Sequence, residues 1–501
     1  MKRLLSLVFG LAFCGMVSAQ SAMEVGKSYL VADFTHDEFG KMLEICHKGG
    51  FEYLLQRNPF STYGHYQWNK DFASSDKSVA RMAQQAEAEG IHLGLLVQSD
   101  AISTNDAYFA PKYHKHCLRE GAVVLFDEIS ADERDMAIRR NDLFVNPSTL
   151  NLILVDKELI SFGTMEFSGD IIILHKCIRG AYGTKNVPHG IRADAYKIWD
   201  SPDRFVAPDD YLRDSVRMHL NNRIEASGVA FVRYADAPGQ QVLDEAIRVR
   251  QAERWNNDPE LLKGGSLGWF RIHAADKKHI GTSMVDVEWM MSKAVGFDAG
   301  YGLVIDRKAM KEHGGLDDML EKIRQWDELR YAGAFSDAQK QAMKDPYLDW
   351  HLVRQDDGDY VLYPMNLSRR HKCSFEEVEP GVLQSERWEW NAEEECRFGL
   401  RLQVDGKVEI KNPMVNTEKG LVLFGCTIKP GQRLVYDFED VAYVIDASYN
   451  KLEEIVPEGV SILPEGTSEV YLICEVDPET KLLPEVTVRY VTREQPMRIE
   501  H

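Results

Sequence analysis

The chain has 501 residues, of which 44% are hydrophobic and 28% charged, and its formal net charge is −20 at pH 7. A chain of this length is expected to form two or three domains. Its acidic balance argues against nucleic acid and against anionic membrane surfaces as partners, because both carry negative charge themselves.

The N-terminus, Met1 to Ala19, has the organisation of a secretory signal peptide. Two basic residues precede an apolar run from Leu4 to Val17, and small residues form the cleavage site. The run is too short for a spanning helix. Its removal takes two of the 59 basic residues and leaves 57 against 79 acidic ones, a net charge of −22. We expect an exported protein, periplasmic or extracellular and not inserted in a membrane; Phe13 disfavours a lipoprotein anchor on Cys14.

The seven remaining cysteines are scattered singly along the chain and are odd in number. They form neither a disulfide framework nor a zinc pattern. A bond between Cys396 and Cys426 is left open, and no cofactor or metal is expected. The oligomeric state is also left open.

The segment from Ser28 to Pro111 alternates between strand and helix. Strands are predicted at Tyr29–Phe34, Phe51–Gln56 and His92–Gln98, and helices at Asp37–His47 and Ser78–Glu89. Strands separated by helices of this length indicate a parallel sheet. Polar and aromatic residues gather at the strand ends and in the loops that follow, and the candidates for binding among them are Asp33, Arg57, His65, Tyr66, Trp68 and Asp100.

Between Leu118 and Lys197 the pattern changes to short strands and turns, which indicates a small β domain inserted at 118–194. The barrel pattern resumes with a helix at Asp209–Ala226 and a strand at Gly228–Ala235, so the barrel is predicted at 24–117 and 195–348. From Asp349 to His501 strand follows strand with regular turn signals, which is typical of a β-sandwich.

The stretch from Gly281 to Asp306 predicts a buried helix followed by a strand. Ser283 and Asp286 have the spacing of a capping box. If the segment Met284–Glu288 is extended, Asp286 and Glu288 share one face; if it is helical, they point in different directions. The structural interpretation is that Asp286 caps the helix and Glu288 complements its dipole. The functional interpretation is that one or both carry chemistry.

Several motifs occur in an order that resembles a known group. They are ELISFG (Glu158–Gly163), Cys177, Arg179-Gly180-Ala181, Gly183-Thr184 and His189, with Tyr63-Gly64-His65-Tyr66 before them and Asp286-Val287-Glu288-Trp289 and Gly296-Phe297-Asp298-Ala299-Gly300 after them. From about Val31 to Phe335 the chain resembles secreted TIM-barrel proteins, similar to glycoside hydrolases, of carbohydrate-degrading bacteria. The resemblance implies a (β/α)8-type barrel that acts on glycans.

The chain departs from that group at one strand end. The group's phenylalanine, aspartate, glycine run corresponds here to Phe231–Gly239, where Ala235 occupies the aspartate position and Asp236 follows it. Either the register shifts by one residue and Asp236 serves, or the carboxylate is lost.

Barrel enzymes place their sites at the C-terminal ends of the strands, and glycosidic cleavage commonly uses two carboxyl groups. We expect Asp236 and Glu288 to form this pair, with Asp286 and Asp100 in reserve. Trp289 is expected to desolvate Glu288, raise its pKa and offer a surface for a sugar ring. Asp236 would then be the base or nucleophile.

Three arginines, Arg57, Arg233 and Arg271, fall at predicted strand ends. Their planar guanidinium groups suit a carboxylate or sulfate, although each of them can instead pair with a barrel aspartate. The leading hypothesis is an exported glycoside hydrolase that acts on a complex glycan, including one with anionic sugars. The alternative is a non-catalytic glycan-binding protein on a barrel that has lost its chemistry.

Overall fold

A computed structural model of the chain describes residues 23–144, 150–200, 205–234, 240–242, 245–277, 279–438 and 441–499. The predicted signal peptide lies outside these residues. No helix within them is long and apolar enough to cross a membrane. Their seven cysteines are free thiols, so Cys396 and Cys426 are not bonded to each other.

The described residues form helices whose ends follow from their capping residues. Ser75, Asp209 and Ser283 each accept a hydrogen bond from a main-chain N–H in the first turn of the helix that follows. Gly228 ends the third helix in the left-handed conformation, with φ +60°. The α-helices are α1 Phe39–Gly49, α2 Asp76–Ala88, α3 Asp210–Ser227, α4 Glu245–Asn257, α5 Met284–Gly296, α6 Arg307–Glu312, α7 Leu316–Tyr331 and α8 Asp337–Ala342.

The strands up to residue 305 belong to the parallel sheet or to small antiparallel sheets. They are β1 Tyr29–Ala32, β2 Tyr53–Gln56, β3 His92–Val97, β4 Ile102–Ser103, β5 Arg119–Val123, β6 Met136–Arg139, β7 Leu152–Val155, β8 Glu158–Ser161, β9 Thr164–Ser168, β10 Ile171–His175, β11 Ala195–Ile198, β12 Phe205–Val206, β13 Phe231–Tyr234, β14 Gln240–Val242, β15 Ser266–Ile272 and β16 Gly300–Ile305.

The parallel sheet has the order β13-β3-β2-β1-β16-β15-β14. Within the described residues, this order leads from β1 through β2 and β3 to β13 on one side, and through β16 and β15 to β14 on the other, which is the strand order of a TIM-like barrel. β1 and β16 are buried along their whole length, as expected of parallel strands covered on both faces. Gly94 in β3 leaves room for the ring of Phe231, which would lie 2.3 Å from an added Cβ. The predicted barrel class is confirmed.

The inserted region forms two small antiparallel sheets with the orders β6-β10-β9 and β5-β11-β7-β8. Their inward side chains, such as Ile138, Ile160 and Ile172, share one apolar core. The short strands predicted between Leu118 and Lys197 are therefore present.

The remaining strands form two larger antiparallel sheets. They are β17 Asp349–Arg354, β18 Tyr360–Leu367, β19 His371–Lys372, β20 Phe375–Glu379, β21 Val382–Ser385, β22 Trp388–Ala392, β23 Cys396–Asp405, β24 Ile410–Asn416, β25 Leu421–Leu423, β26 Thr427–Ile428, β27 Arg433–Tyr436, β28 Ala442–Ile445, β29 Lys451–Ile455, β30 Glu458–Gly459, β31 Ile462–Leu463, β32 Gly466–Glu475, β33 Glu485–Arg493 and β34 Met497–Arg498.

One of these sheets is built on β17-β18-β33-β23-β27-β28-β29 and the other on β20-β21-β32-β24-β25-β30. A single apolar core contains residues from both, for example Leu400 and Val488 from the first and Leu383 and Leu472 from the second. This is the predicted C-terminal β-sandwich.

The chain divides into two compact units. The first contains Asp33–Met42 and the described part of Leu55–Ala237, including the inserted sheets. The second contains Met23–Ala32, Leu43–Leu54 and the described part of Pro238–His501.

Candidate functional site

The loop that follows β2 folds onto a buried carboxylate, Asp106, whose side chain is 1% exposed. Asp106 accepts hydrogen bonds from the main-chain N–H groups of His65 (2.8 Å) and Tyr108 (2.9 Å), and its Oδ1 lies 2.8 Å from Nδ1 of His65. Gly64 has φ +117°, and a Cβ there would lie 2.7 Å from a carboxylate oxygen of Asp106. Any other residue would clash with the Asp106 carboxylate, so this position requires glycine.

The imidazole of His65 is held between two other rings. It stacks on Tyr108 with centroids 4.1 Å apart and lies 4.8 Å from the ring of His219 on α3. The Tyr108 hydroxyl is 3.1 Å from Nε2 of His219. Burial and the neighbouring His65 lower the pKa of His219, which favours a neutral His219 imidazole, and burial raises the pKa of Tyr108.

A second charged group follows β3. Asp100 accepts two hydrogen bonds from Arg217 of α3, from Nε at 3.0 Å and from Nη2 at 2.8 Å. This pair is partly exposed, at 40% for Asp100 and 50% for Arg217. Tyr234, the last residue of the neighbouring β13, is 48% exposed. A carboxylate and an aromatic ring are thus accessible at the carboxyl ends of β3 and β13.

The predicted binding residues of the first unit divide into accessible and buried ones. Asp33 and Arg57 are exposed, and Arg233 is half-buried in β13 beside Leu96 of β3. Tyr66 and Trp68, which were also predicted to bind substrate, are only 0% and 7% exposed.

The buried aromatics of the loop are tied to the interior by their polar atoms. The Tyr66 hydroxyl donates to the carbonyl of Gln98, and Nε1 of Trp68 donates to Asp76. Trp68 also stacks on Phe60. The prediction that Tyr66 and Trp68 bind substrate through their rings is wrong, because both rings are buried under the loop.

Asp236 lies outside the described residues, whereas its predicted partner Glu288 is enclosed in the second unit. Glu288 lies inside α5, with its side chain 3% exposed. It accepts hydrogen bonds from Nδ1 of His351 (2.7 Å), Nε1 of Trp326 (3.3 Å) and the main-chain N–H of Leu352 (3.0 Å).

The expected raised pKa of Glu288 is wrong. Burial alone would raise it, but the charges of His351 and Lys322 and the hydrogen bonds from His351 and Leu352 outweigh burial and hold the pKa below its usual value. This geometry favours a structural role for the carboxylate.

The other residues of α5 that were predicted to belong to the site also make structural contacts. Asp286 forms the predicted capping box with Ser283, and its carboxylate lies 3.6 Å from Nε of Arg248. Of the two interpretations of this segment, the helical one is therefore correct. Trp289 is 2% exposed and stacks on Trp255, so it is not a surface for a sugar. Arg271 in β15 is half-buried.

The motif residues of the inserted region converge on a second buried carboxylate. Glu158 accepts from Nε and Nη2 of Arg179 (2.9 and 3.0 Å), from the N–H groups of Gly180 and Val187, and from Nε2 of His189 (2.8 Å). The side chains of Glu158 and His189 are fully buried. This motif holds the loop at 179–189 in place, and its residues pair with one another.

The sequence interpretation missed Asp106, Tyr108, His219 and Tyr234. Tyr234 carried a usable signal, since it is an aromatic residue next to the end of the predicted strand Gly228–Ala235. The partnership of His65 with Asp106 spans 41 residues, and no local pattern indicates it.

No protein-family model matches the sequence, and no curated protein matches it. Among solved structures, the chain is similar to an alpha-amylase from Geobacillus thermoleovorans complexed with acarbose (8% identity, TM-score 0.35, 89% of this chain and 98% of that chain covered). It is also similar to a maltogenic alpha-amylase from Thermotoga neapolitana (9%, 0.33, 93% and 99%) and to an alpha-galactosidase from Lactobacillus brevis (9%, 0.34, 96% and 57%). The chain thus spans little more than half of the galactosidase's length.

Proposed function

We propose that this protein is a glycoside hydrolase whose glycan site lies at the carboxyl ends of β2, β3 and β13. The observation that carries the proposal is the set of accessible side chains that follow these strands: Arg57, His65, Asp100 and Tyr234. An exposed tyrosine face packs against a sugar ring while its hydroxyl remains hydrated. The imidazole and the charged groups offer partners for sugar hydroxyls.

The proposed chemistry uses two carboxyl groups on either side of the scissile bond. Glu288 is enclosed by its three donors, and Asp286 by its cap and Arg248. We therefore propose that Asp100, and not Glu288, is the catalytic partner of Asp236. Asp100 keeps 40% of its side chain exposed and is oriented by Arg217.

The proposed substrate carries an anionic substituent, and Arg57 is the residue proposed to recognise it. Arg57 is exposed immediately after β2, and its planar guanidinium group can bind a carboxylate or sulfate through two parallel hydrogen bonds. The predicted signal peptide supports a site of action outside the cytoplasm, where complex polysaccharides occur.

The alternative function is glycan binding without hydrolysis. It is favoured by the burial of Glu288 and by the capping and pairing of Asp286, since these are two of the four carboxylates that the sequence had offered for catalysis. The presence of Ala235 where the resembled group usually has aspartate also favours binding without hydrolysis.

The release of reducing sugar from a panel of polysaccharides tests the proposal. We expect Asp100→Asn and Asp236→Asn each to lower the rate by roughly 10²–10⁴-fold, as loss of an acid or base does. Asp71→Asn, at an exposed position in the same connection as His65, is the matched control and should keep the rate. A wild-type protein that binds a polysaccharide of the panel and cleaves none of it would instead establish the binding function.

A further inference from the structure

We infer that Asp106 is a positioning residue that holds His65 as the tautomer protonated on Nδ1, so that the Nε2 lone pair accepts a hydrogen bond from a hydroxyl of the bound glycan. The identity of the ligand rests on the proposed function. The tautomer follows from the contacts of Asp106.

The first step is the role of Asp106, which accepts hydrogen bonds through both oxygens of its carboxyl group. The main-chain N–H groups of His65 and Tyr108, which can only donate, approach different oxygens at 2.8 and 2.9 Å. In the carboxylate form Asp106 has no proton to give, so it can only accept.

The second step is the proton on the imidazole. Nδ1 of His65 lies 2.8 Å from the carboxylate oxygen Oδ1, and a hydrogen bond there requires the proton on Nδ1. In a neutral imidazole the lone pair then belongs to Nε2. Asp106 thus determines which nitrogen of His65 accepts.

The third step is access. The ring of His65 is fixed by stacking on Tyr108 and by the adjacent His219, yet its side chain remains 32% exposed. In His189, by comparison, the side chain is fully buried and both nitrogens lie within hydrogen-bond distance of carboxylates, at 2.7 and 2.8 Å. Of these two histidines, His65 is the one that combines an oriented ring with an accessible side chain, as ligand binding requires.

Nitrogen NMR of protein labelled with ¹⁵N-histidine tests the tautomer without any ligand. At a pH where His65 is neutral, we expect its couplings to show a protonated Nδ1 and an unprotonated Nε2, and we expect Asp106→Asn to shift the population toward protonated Nε2. Glu87→Gln removes the carboxylate beside His92, at the amino end of β3, and should leave the His65 signals unchanged. A wild-type His65 protonated on Nε2 would overturn the inference.

Calorimetric titration with hexamers of cellulose, xylan, mannan and polygalacturonan tests the ligand. We expect His65→Ala and Asp106→Asn to weaken binding of the hexamer that wild type prefers by roughly tenfold, the value of one hydrogen bond at the upper end of its usual range. His65→Gln should recover part of the loss, because its amide oxygen can reach the position of Nε2. Glu87→Gln should bind as wild type does.

The two proposals fail in different ways. Equal binding by wild type, His65→Ala and His65→Gln would overturn the role of His65 even if Asp106→Asn does not fold. A wild type that binds none of the four hexamers contradicts the proposed function and the glycan as ligand of His65. The NMR measurement still decides separately whether Asp106 sets the tautomer.

Discussion

At the scale of single residues, the donors that reach a buried carboxylate decide its properties more than the aromatic residue beside it in sequence. Trp289 follows Glu288 in the chain, but its ring stacks on Trp255. His351 and Trp326, 63 and 38 residues away in sequence, contact the carboxylate instead. A proton donor in catalysis needs a raised pKa and access to substrate, and Glu288 has neither.

We expect Glu288→Gln to destabilise the second unit by about 3 kcal/mol, the usual cost of breaking a buried ion pair, and to leave turnover of the folded protein unchanged. Since the folded pKa of Glu288 lies below its usual value, the carboxylate stabilises the fold at neutral pH, and this contribution is lost as pH falls through the folded pKa. Urea unfolding at several pH values should therefore show the difference between wild type and variant shrinking under acid conditions.

The control for this experiment is Glu328→Gln on α7, where the side chain is 57% exposed and pairs with Arg324 on the surface. Its effect should be within about 0.5 kcal/mol. A Glu288→Gln protein that is as stable as wild type but has lost turnover would restore the catalytic role that the sequence suggested.

What the sequence could predict at this scale depended on distance along the chain. The capping box of Ser283 and Asp286 spans three residues and was predicted from its spacing. The side chains that contact Asp106, Glu158 and Glu288 come from 21 to 63 residues away. Such pairs are formed by the fold, so no local pattern in one sequence carries them.

At the scale of elements, strand-like runs separated by regular turn signals predicted the C-terminal strands, and in the structure burial alternates along them. In β32, Val470, Leu472 and Cys474 point inward, while Glu469 and Glu475 are exposed. The loops were less predictable. The buried positions of Tyr66 and Trp68 follow from the positive φ of Gly64 and Tyr66, at +117° and +49°, which aromatic residue type alone does not reveal.

The loop at 179–189 depends on Glu158, and we expect Glu158→Gln to loosen it. Gln keeps the size of the side chain but removes the charge that pairs with Arg179, and its amide N–H groups face other donors. Burial by itself would raise the pKa of Glu158, but the five hydrogen bonds it accepts outweigh burial and lower this pKa. We therefore expect faster amide exchange at 179–189 at neutral pH and a loss of about 3 kcal/mol.

Glu166→Gln on β9 is the matched control, since its side chain is 64% exposed. It should leave the exchange rates at 179–189 unchanged. Equal protection of this loop in wild type and Glu158→Gln would mean that the other contacts of the inserted sheets hold it.

At the scale of the whole molecule, the cyclic order of the parallel strands agrees with the order of the predicted elements, because successive strand and helix pairs place each new strand beside the previous one. Strand order is thus the part of the architecture that a single sequence specifies most directly. The dependence of stability on pH is set instead by buried titratable groups, and Lys293 is one of them.

Lys293 lies in α5 with no exposed surface, and its Nζ donates to the carbonyls of Met343 and Asp345. Burial lowers its pKa from 10.5 to about 7, against the opposing effect of Asp349 and Asp345. Between these two values the unfolded chain binds a proton that the folded chain does not. Unfolding therefore takes up a proton, and stability rises with pH across this window.

We expect Lys293→Met to remove this rise, because methionine keeps much of the volume and has no proton to bind. The free energy of unfolding of wild type minus that of Lys293→Met should increase between pH 7 and pH 10, by at most roughly 1.4 kcal/mol per pH unit. The control is Lys308→Met, because the Lys308 side chain is 48% exposed. The difference in the free energy of unfolding between wild type and this variant should change little between pH 7 and pH 10. A flat difference for Lys293→Met would mean that Lys293 stays protonated in the folded protein, with the charges of Asp345 and Asp349 outweighing its burial.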